Sequence, residues 1–180
     1  AIPLPEAEWI MCRINLICFT ALKKKITVFI IAIAGNDENA LQAALEEAMD
    51  AGIKVCGFDS KVNADSRMTF VNQAGTKEIG QTLMDAVYDI TGGEGQWAIL
   101  SATSQATNQN AWIDAMKKVM ESDDKYSKLE LVEVAYGDDE PQKSTDQTQA
   151  LLSKYPDLKL ICAPTTVGIN AAAKVLQDEK

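Results

Sequence analysis

Residues 98–117 read AILSATSQATNQNAWIDAMK: an apolar run, a polar loop, and then a segment whose first turn presents Asn108, Gln109 and Asn110. The apolar run has the length and composition of a buried strand. Trp112, Met116, Val119 and Met120 recur at the spacing of one buried helix face. A strand feeding a helix in this way leaves a crevice at the strand's carboxyl end, floored by the helix N-terminus. Lined with neutral amides, such a crevice suits hydrogen bonding to a small polar ligand. It offers little for acid–base chemistry.

The same alternation extends in both directions. Upstream, Ile30 to Ala34 is strand-like, and Asn36 or Asp37 is placed to cap a helix carrying Leu41, Ala44, Leu45, Ala48 and Met49 until Gly52 stops it. Asp37 and Glu38 suit the positive end of that helix. Ile53 to Phe58 and Thr69 to Val71 read as strands. A helix striped by Ile79, Leu83, Val87 and Ile90 follows, closed by Gly92 and Gly93. Downstream come strands at Leu129 to Val134 and Leu158 to Cys162, with a polar helix ending in Leu151 and Leu152 between them. A last helix is striped by Ile169, Ala173 and Leu176. Strands alternating with helices of this length imply βαβ units, so the fold class is α/β with a parallel sheet.

Composition excludes several functions. The 180 residues, 47% of them apolar, suffice for one domain or one and part of another. A net charge of −9, with no basic stripe, opposes nucleic-acid binding. The chain has no histidine, which removes Ser–His and Cys–His nucleophile pairs, imidazole metal ligands and the commonest general base. Cys12, Cys18, Cys56 and Cys162 lack CxxC spacing, and the last two fall in apolar runs where a thiol behaves as a small hydrophobe. No metal and no cofactor is expected.

Residues 1–29 break the scheme. Trp9 to Leu22 is apolar but interrupted by Arg13 and Asn15, too broken for a membrane span of about 20 residues. Lys23-Lys24-Lys25 followed by ITVFIIAIA and Gly35 imitates a signal peptide with an Ala-x-Ala cleavage site. The segment is internal and runs without a break toward a helix, so a buried parallel strand is the better reading.

In a parallel sheet, ligands sit beyond the carboxyl ends of the strands. That rule selects Asn36 and Asp37, Asp59 and Ser60, residues 101–109, and Pro164, Thr165 and Thr166. Asp59, directly after VCGF, suits two hydrogen bonds from a diol; taken alone it reads better as a turn or helix-cap aspartate. Asn108 and Gln109 read singly as helix-start amides, and Thr165 and Thr166 as caps. Their weight comes from lying together at one edge of one sheet. Gly92-Gly93-Glu94-Gly95 precedes a strand instead of joining a strand to a helix, so it is a turn and not a phosphate loop. Asp138-Asp139-Glu140 lacks alternating oxygen ligands and reads as the solvated start of a helix at Pro141. Trp112 reads as core, although an aromatic beside a sugar site would stack on the sugar's apolar face.

Several segments resemble the type I periplasmic sugar-binding proteins of ABC importers, in the branch with the rhamnose-binding and autoinducer-2-binding proteins. They are AIAGNDENALQAALEEAMDAGIKVCGFDS, FVNQAG, ILSATSQATNQNAWIDAMKK, YGDDEPQKS, LLSKYPDLK and ICAPTTVGINAAAK. The resemblance covers about residues 31–180, and ATNQNAW and APTTVGI are its most specific parts. It implies two doubly wound α/β lobes that close on a ligand.

By the same resemblance Asp59 matches an N-lobe carboxylate that grips ligand hydroxyls, and Asn108 and Gln109 match a pair on the other lobe. Autoinducer-2 binders have Asp-Gln there, so Asn108 points to the rhamnose-like side. Pro164 and Thr166 match backbone-contact positions, with Thr165 between them. The first crossover falls near Asn72 and Gln73. Residues 1–29 are then an atypical segment, 30–73 a partial N-lobe and 74–180 a partial C-lobe. Against the family pattern the chain reads as a fragment, incomplete at both ends.

The implied function is the substrate-binding component of a sugar importer, holding a rhamnose-like sugar or autoinducer-2 in the inter-lobe cleft. The implied partner is an ABC permease. The implied location is periplasmic, or extracellular and membrane-anchored. The alternative, the sensing core of a lac-repressor-type regulator, predicts an N-terminal helix-turn-helix, which residues 1–29 do not display. A Rossmann-like enzyme predicts GxGxxG and a catalytic base, and neither is present.

Overall fold

The computed structural model describes residues 17–18 and 30–178. Apart from Ile17 and Cys18, the apolar run from Trp9 to Leu22, the lysine triplet and Cys12 lie outside the described residues. The chain forms two compact units, divided between Gln73 and Ala74.

The first unit holds a four-stranded sheet in the order β1-β2-β3-β4. Its strands are β1 (Ile17–Cys18), β2 (Ile30–Ile33), β3 (Lys54–Phe58) and β4 (Thr69–Val71). The last three pair in parallel, while β1 pairs antiparallel with β2, setting Ile17 against Ala32 and Cys18 against Ile31. A two-residue strand carries no periodic signal, so only the pairing reveals it. Helix α1 (Gln42–Asp50) covers the sheet, and Ile33, Leu45, Val55 and Val62 form the core beneath it.

The expected cap of α1 is corrected. The helix starts five residues after Asp37, with Leu41 at the N-cap and no acidic residue in its first turn. Asp37 Oδ1 instead accepts the N–H groups of Asn39 at 2.8 Å and Ala40 at 3.1 Å, closing a turn of its own. That loop is then held to the one after β3: the Asn63 side-chain amide donates to Asn39 Oδ1 at 2.8 Å and the Asn63 N–H to Glu38 O at 2.7 Å.

The second unit is a three-layer sandwich. Its sheet, in the order β6-β5-β7 and parallel throughout, comprises β5 (Gly95–Ser101), β6 (Leu129–Tyr136) and β7 (Leu158–Cys162). Alternation along β5 builds two cores. Trp97 and Ile99 meet α2 (Thr76–Thr91) and α3 (Thr107–Ser122) through Met84, Val87, Ile113 and Met116. Ala98 and Leu100 face α4 (Pro141–Lys154) and α5 (Thr166–Asp178) through Leu151 and Ala172. Left-handed Gly92, at φ 73°, ends α2 and donates its N–H to Tyr88 O.

Two helix faces differ from the expected stripes for one physical reason. In α2 the buried residues are Gly80, Met84, Val87 and Thr91, and Ile90 is 68% exposed. In α5 they are Gly168, Ala171, Ala172 and Val175, with Ile169 44% and Leu176 41% exposed and Ala173 also outside. Both helices make close backbone approaches. A Cβ on Gly80 would stand 2.5 Å from Ala115 Cβ, and one on Gly168 would stand 3.3 Å from Leu100 O. Gly80 and Gly168 therefore mark the closest approaches, and Ile90, Ile169 and Leu176 lie outside them. In α3, likewise, Ile113 takes the core position expected of Trp112, which is half-buried.

One polar cluster locks α2 to the turn after α3. Asp85 Oδ1 accepts from Lys125 Nζ at 2.8 Å and from Tyr126 Oη at 2.7 Å, and Gln81 Nε2 donates to Tyr126 Oη at 2.9 Å. Lys125 Nζ also lies 4.5 Å from the Tyr88 ring centre.

Candidate functional site

In the second unit an open cavity of about 640 Å³, broadly exposed to solvent, lies at the carboxyl end of β7. Its apolar wall is built by Ile79 and Leu83 of α2, Trp112 of α3, and Ala163, Val167 and Ile169 around the start of α5. Its polar groups are Gln109, Asp139, Thr165 and Thr166, with Pro164 in the same loop. Ile79 and Leu83, members of the expected core stripe, line this cavity, and Leu83 also packs against the core around Met84 and Val87.

Helix α3 begins at Thr107, which puts Asn108, Gln109 and Asn110 in its first turn. The three amides have different fates. Gln109 reaches the cavity wall, Asn110 donates its side-chain amide to Ser104 O at 2.8 Å within its own loop, and Asn108 lies outside the lining. After β7, the Ile169 N–H donates to Thr165 O at 3.0 Å, opening α5 and holding Thr165 at the helix mouth. The Thr165 hydroxyl donates to Asp139 Oδ1.

Asp139 is the residue that the sequence reading misses. It belongs to the turn between β6 and α4, where Asp138 and Asp139 both have φ 54°. The turn is held by backbone donors: Gly137 N–H to Ser101 O and Asp138 N–H to Ala102 O, both at 2.9 Å. The Asp138 carboxylate pairs with Lys143, and Pro141 starts α4. The rule that selected the other candidates, a carboxyl end of a parallel strand, applies to YGDDEP equally well. An acidic run before a proline reads as solvated, and that reading hid it.

Asp59 lies elsewhere. It follows β3 in the first unit, has φ 58°, and donates its N–H to Val71 O at 3.1 Å. The placement of all candidates on one edge of one sheet is therefore corrected: Asp59 ends a strand of the first sheet, while Gln109, Pro164, Thr165 and Thr166 flank the second. Among the described residues hydrogen bonding forms each sheet separately, and no strand is shared. Asp59, Asp138 and Asp139 are the positive-φ residues other than glycine among the described residues. All three stand just past strand ends, where strained backbone concentrates at functional sites.

Asp139 is the one ionisable group of the cavity wall among the described residues, and no amine or thiol joins it. At the end of β7, burial pushes the Cys162 thiol up to about 11, so that sulfur stays protonated and unreactive near neutral pH. Among the described residues no three metal-ligating side chains cluster.

A family model described as "Periplasmic binding protein domain" matches residues 19–180. The chain belongs to this family. Among solved structures, an ABC transporter solute-binding protein from Clostridium phytofermentas with bound L-rhamnose is 65% identical. It superposes with a TM-score of 0.80 over 83% of this chain and 46% of its own. A sugar ABC transporter protein from Actinomyces odontolyticus is 48% identical, with a TM-score of 0.63 over 82% of this chain and 47% of its own. LsrB from Clostridium saccharobutylicum in complex with AI-2, at 24% identity, shares the fold, with a TM-score of 0.75 over 83% of this chain and 48% of its own. The chain spans about half the length of these structures. The α/β fold with parallel sheets and the solute-binding-protein family expected from the sequence are both shown. The family match begins twelve residues before the resemblance read from the sequence.

Proposed function

We propose that the chain is the ligand-binding part of an ABC-type sugar importer and that its ligand is a neutral, rhamnose-like sugar. It is read as a binding protein and not as an enzyme. The observation that carries the reading is the cavity wall, where one amide, two threonines and one carboxylate converge beside the Trp112 indole. Polar groups of this kind hydrogen-bond ligand hydroxyls, and an aromatic face takes a sugar's C–H face. Selectivity follows because a ligand lacking a hydroxyl leaves a polar group unpaired. The L-rhamnose in the 65% identical relative supports the choice of sugar.

Within this reading Gln109, Thr165 and Thr166 contact the ligand directly and Pro164 shapes the loop. Asn108, in the same helical turn as Gln109, is proposed as a contact by the family pattern. Asp59 is proposed as a ligand contact on the same pattern. An extracytoplasmic location and a membrane permease partner belong to the proposal, with the family as their support.

Thermal unfolding of the 180-residue chain, alone and with millimolar L-rhamnose, ribose or autoinducer-2, tests it. A ligand at 100 times its Kd adds about 2.7 kcal/mol to the folded state. L-rhamnose is expected to raise the transition temperature more than ribose does. An equal or absent shift with all three ligands refutes the proposal.

A further inference from the structure

We infer that Asp139 determines the specificity of this cavity, by turning the Thr165 hydroxyl into an acceptor and by excluding anionic ligands. The inference rests on the sugar-binding reading above and assigns the charge class of the ligand.

A threonine hydroxyl has a single proton. In this structure it goes to Asp139 Oδ1, so Thr165 Oγ1 meets a ligand as an acceptor. The Asp139 carboxylate beside it is acceptor-only as well. Two acceptors at the mouth of α5 suit a ligand that brings O–H donors. A ligand carboxylate has no proton to give them.

Charge points the same way. Asp138, one residue earlier, is neutralised by Lys143. Asp139 forms no ion pair with a lysine or arginine among the described residues. It is also the one charged residue among those lining the cavity. Its left-handed backbone, at φ 54°, is fixed by a turn tied to the end of β5, so the carboxylate is held at the wall. A neutral polyol meets two acceptors and the Gln109 amide; a uronate meets a like charge.

The test is calorimetric titration of the unsubstituted chain, D139N, T165V and the double variant with L-rhamnose and D-galacturonate. Thermal transitions are recorded for each, and Asn tolerates the left-handed backbone. The unsubstituted chain is expected to bind L-rhamnose and to reject D-galacturonate. D139N should weaken L-rhamnose about tenfold, the effect of one charge-assisted hydrogen bond, and strengthen D-galacturonate. T165V should weaken L-rhamnose similarly, and the double variant should be little weaker than either single one, because the two groups act as a unit. Weaker L-rhamnose binding by D139N with no gain for D-galacturonate, or no change for either, overturns the inference while the sugar-binding reading stands. Failure of the unsubstituted chain to bind either sugar overturns that reading, and the inference with it.

Discussion

Gly80→Ala sets two opposed effects against each other at the crossing of α2 and α3. In an exposed helix interior the change would stabilise by about 1 kcal/mol, the difference in helix propensity. Here the new methyl would stand 2.5 Å from Ala115 Cβ, 2.9 Å from Ala115 C and 3.0 Å from Met116 N. Carbon atoms in good contact sit about 3.5–4.0 Å apart. The helices must therefore separate by up to about 1 Å, and two of the three opposing atoms are backbone that cannot swing aside. Overpacking of this kind costs about 1–3 kcal/mol. The clash outweighs the propensity, and the expected net loss is about 1 kcal/mol. With a urea slope of about 1–3 kcal/mol/M, the midpoint should fall by roughly 0.5 M. Adding Ala115→Gly removes one of the three close contacts and should restore part of the loss. Because Ile79 and Leu83 on α2 face Gln109 and Trp112 on α3 across the cavity, separation should also change Trp112 emission. A G80A chain more stable than its parent by about 1 kcal/mol, as propensity alone requires, would refute the reasoning.

Lys125, Tyr126 and Gln81 together hold the Asp85 carboxyl at about 2, below its ordinary 3.8. The stability it contributes is then present above about pH 4 and lost as pH falls toward 2. The unsubstituted chain should show a steep drop in transition temperature across that window, and D85N a flatter one. Met116 is fully buried between α2, α3 and β5; Met116→Ala should cost about 2–5 kcal/mol in urea unfolding. Ile90→Lys, at a position 68% exposed, should stay within about 0.5 kcal/mol. Cys162, raised to about 11 from 9.0 by burial, should be alkylated slowly at pH 8 in the folded chain and rapidly in urea. Mass mapping of its peptide reads both rates.

The strands were legible as short apolar runs, and Thr69–Val71 and Leu158–Cys162 fall where the composition puts them, although Thr69 and Val71 are exposed at the edge of the first sheet. Helix existence was legible from the 3.6-residue period, and Gly92 and Pro141 mark two boundaries by their own backbone chemistry. Helix orientation was less so. Reading the largest residues as the buried stripe fails wherever backbones approach closely, as at Gly80 and Gly168. Gln109, Pro164, Thr165 and Thr166 were legible as strand-end residues. Asp139 was not, because the Thr165 hydroxyl that ties it to the cavity is 26 residues away in sequence.

The amino-acid sequence by itself determined the α/β class, the order of elements, the absence of histidine chemistry, and the family resemblance carried by ATNQNAW and APTTVGI. These depend on local period, composition and spacing, which any unfolded chain already contains. The tertiary structure decided the division into two separate sheets, the pairing of β1, and which face of α2 and α5 is buried. It also decided which of three adjacent amides meets the cavity and that a carboxylate stands beside Thr165. The physical reason is common to all of these. Each is fixed by contact between segments far apart in the chain, where steric fit and hydrogen-bond partners choose among arrangements that local propensity leaves equal.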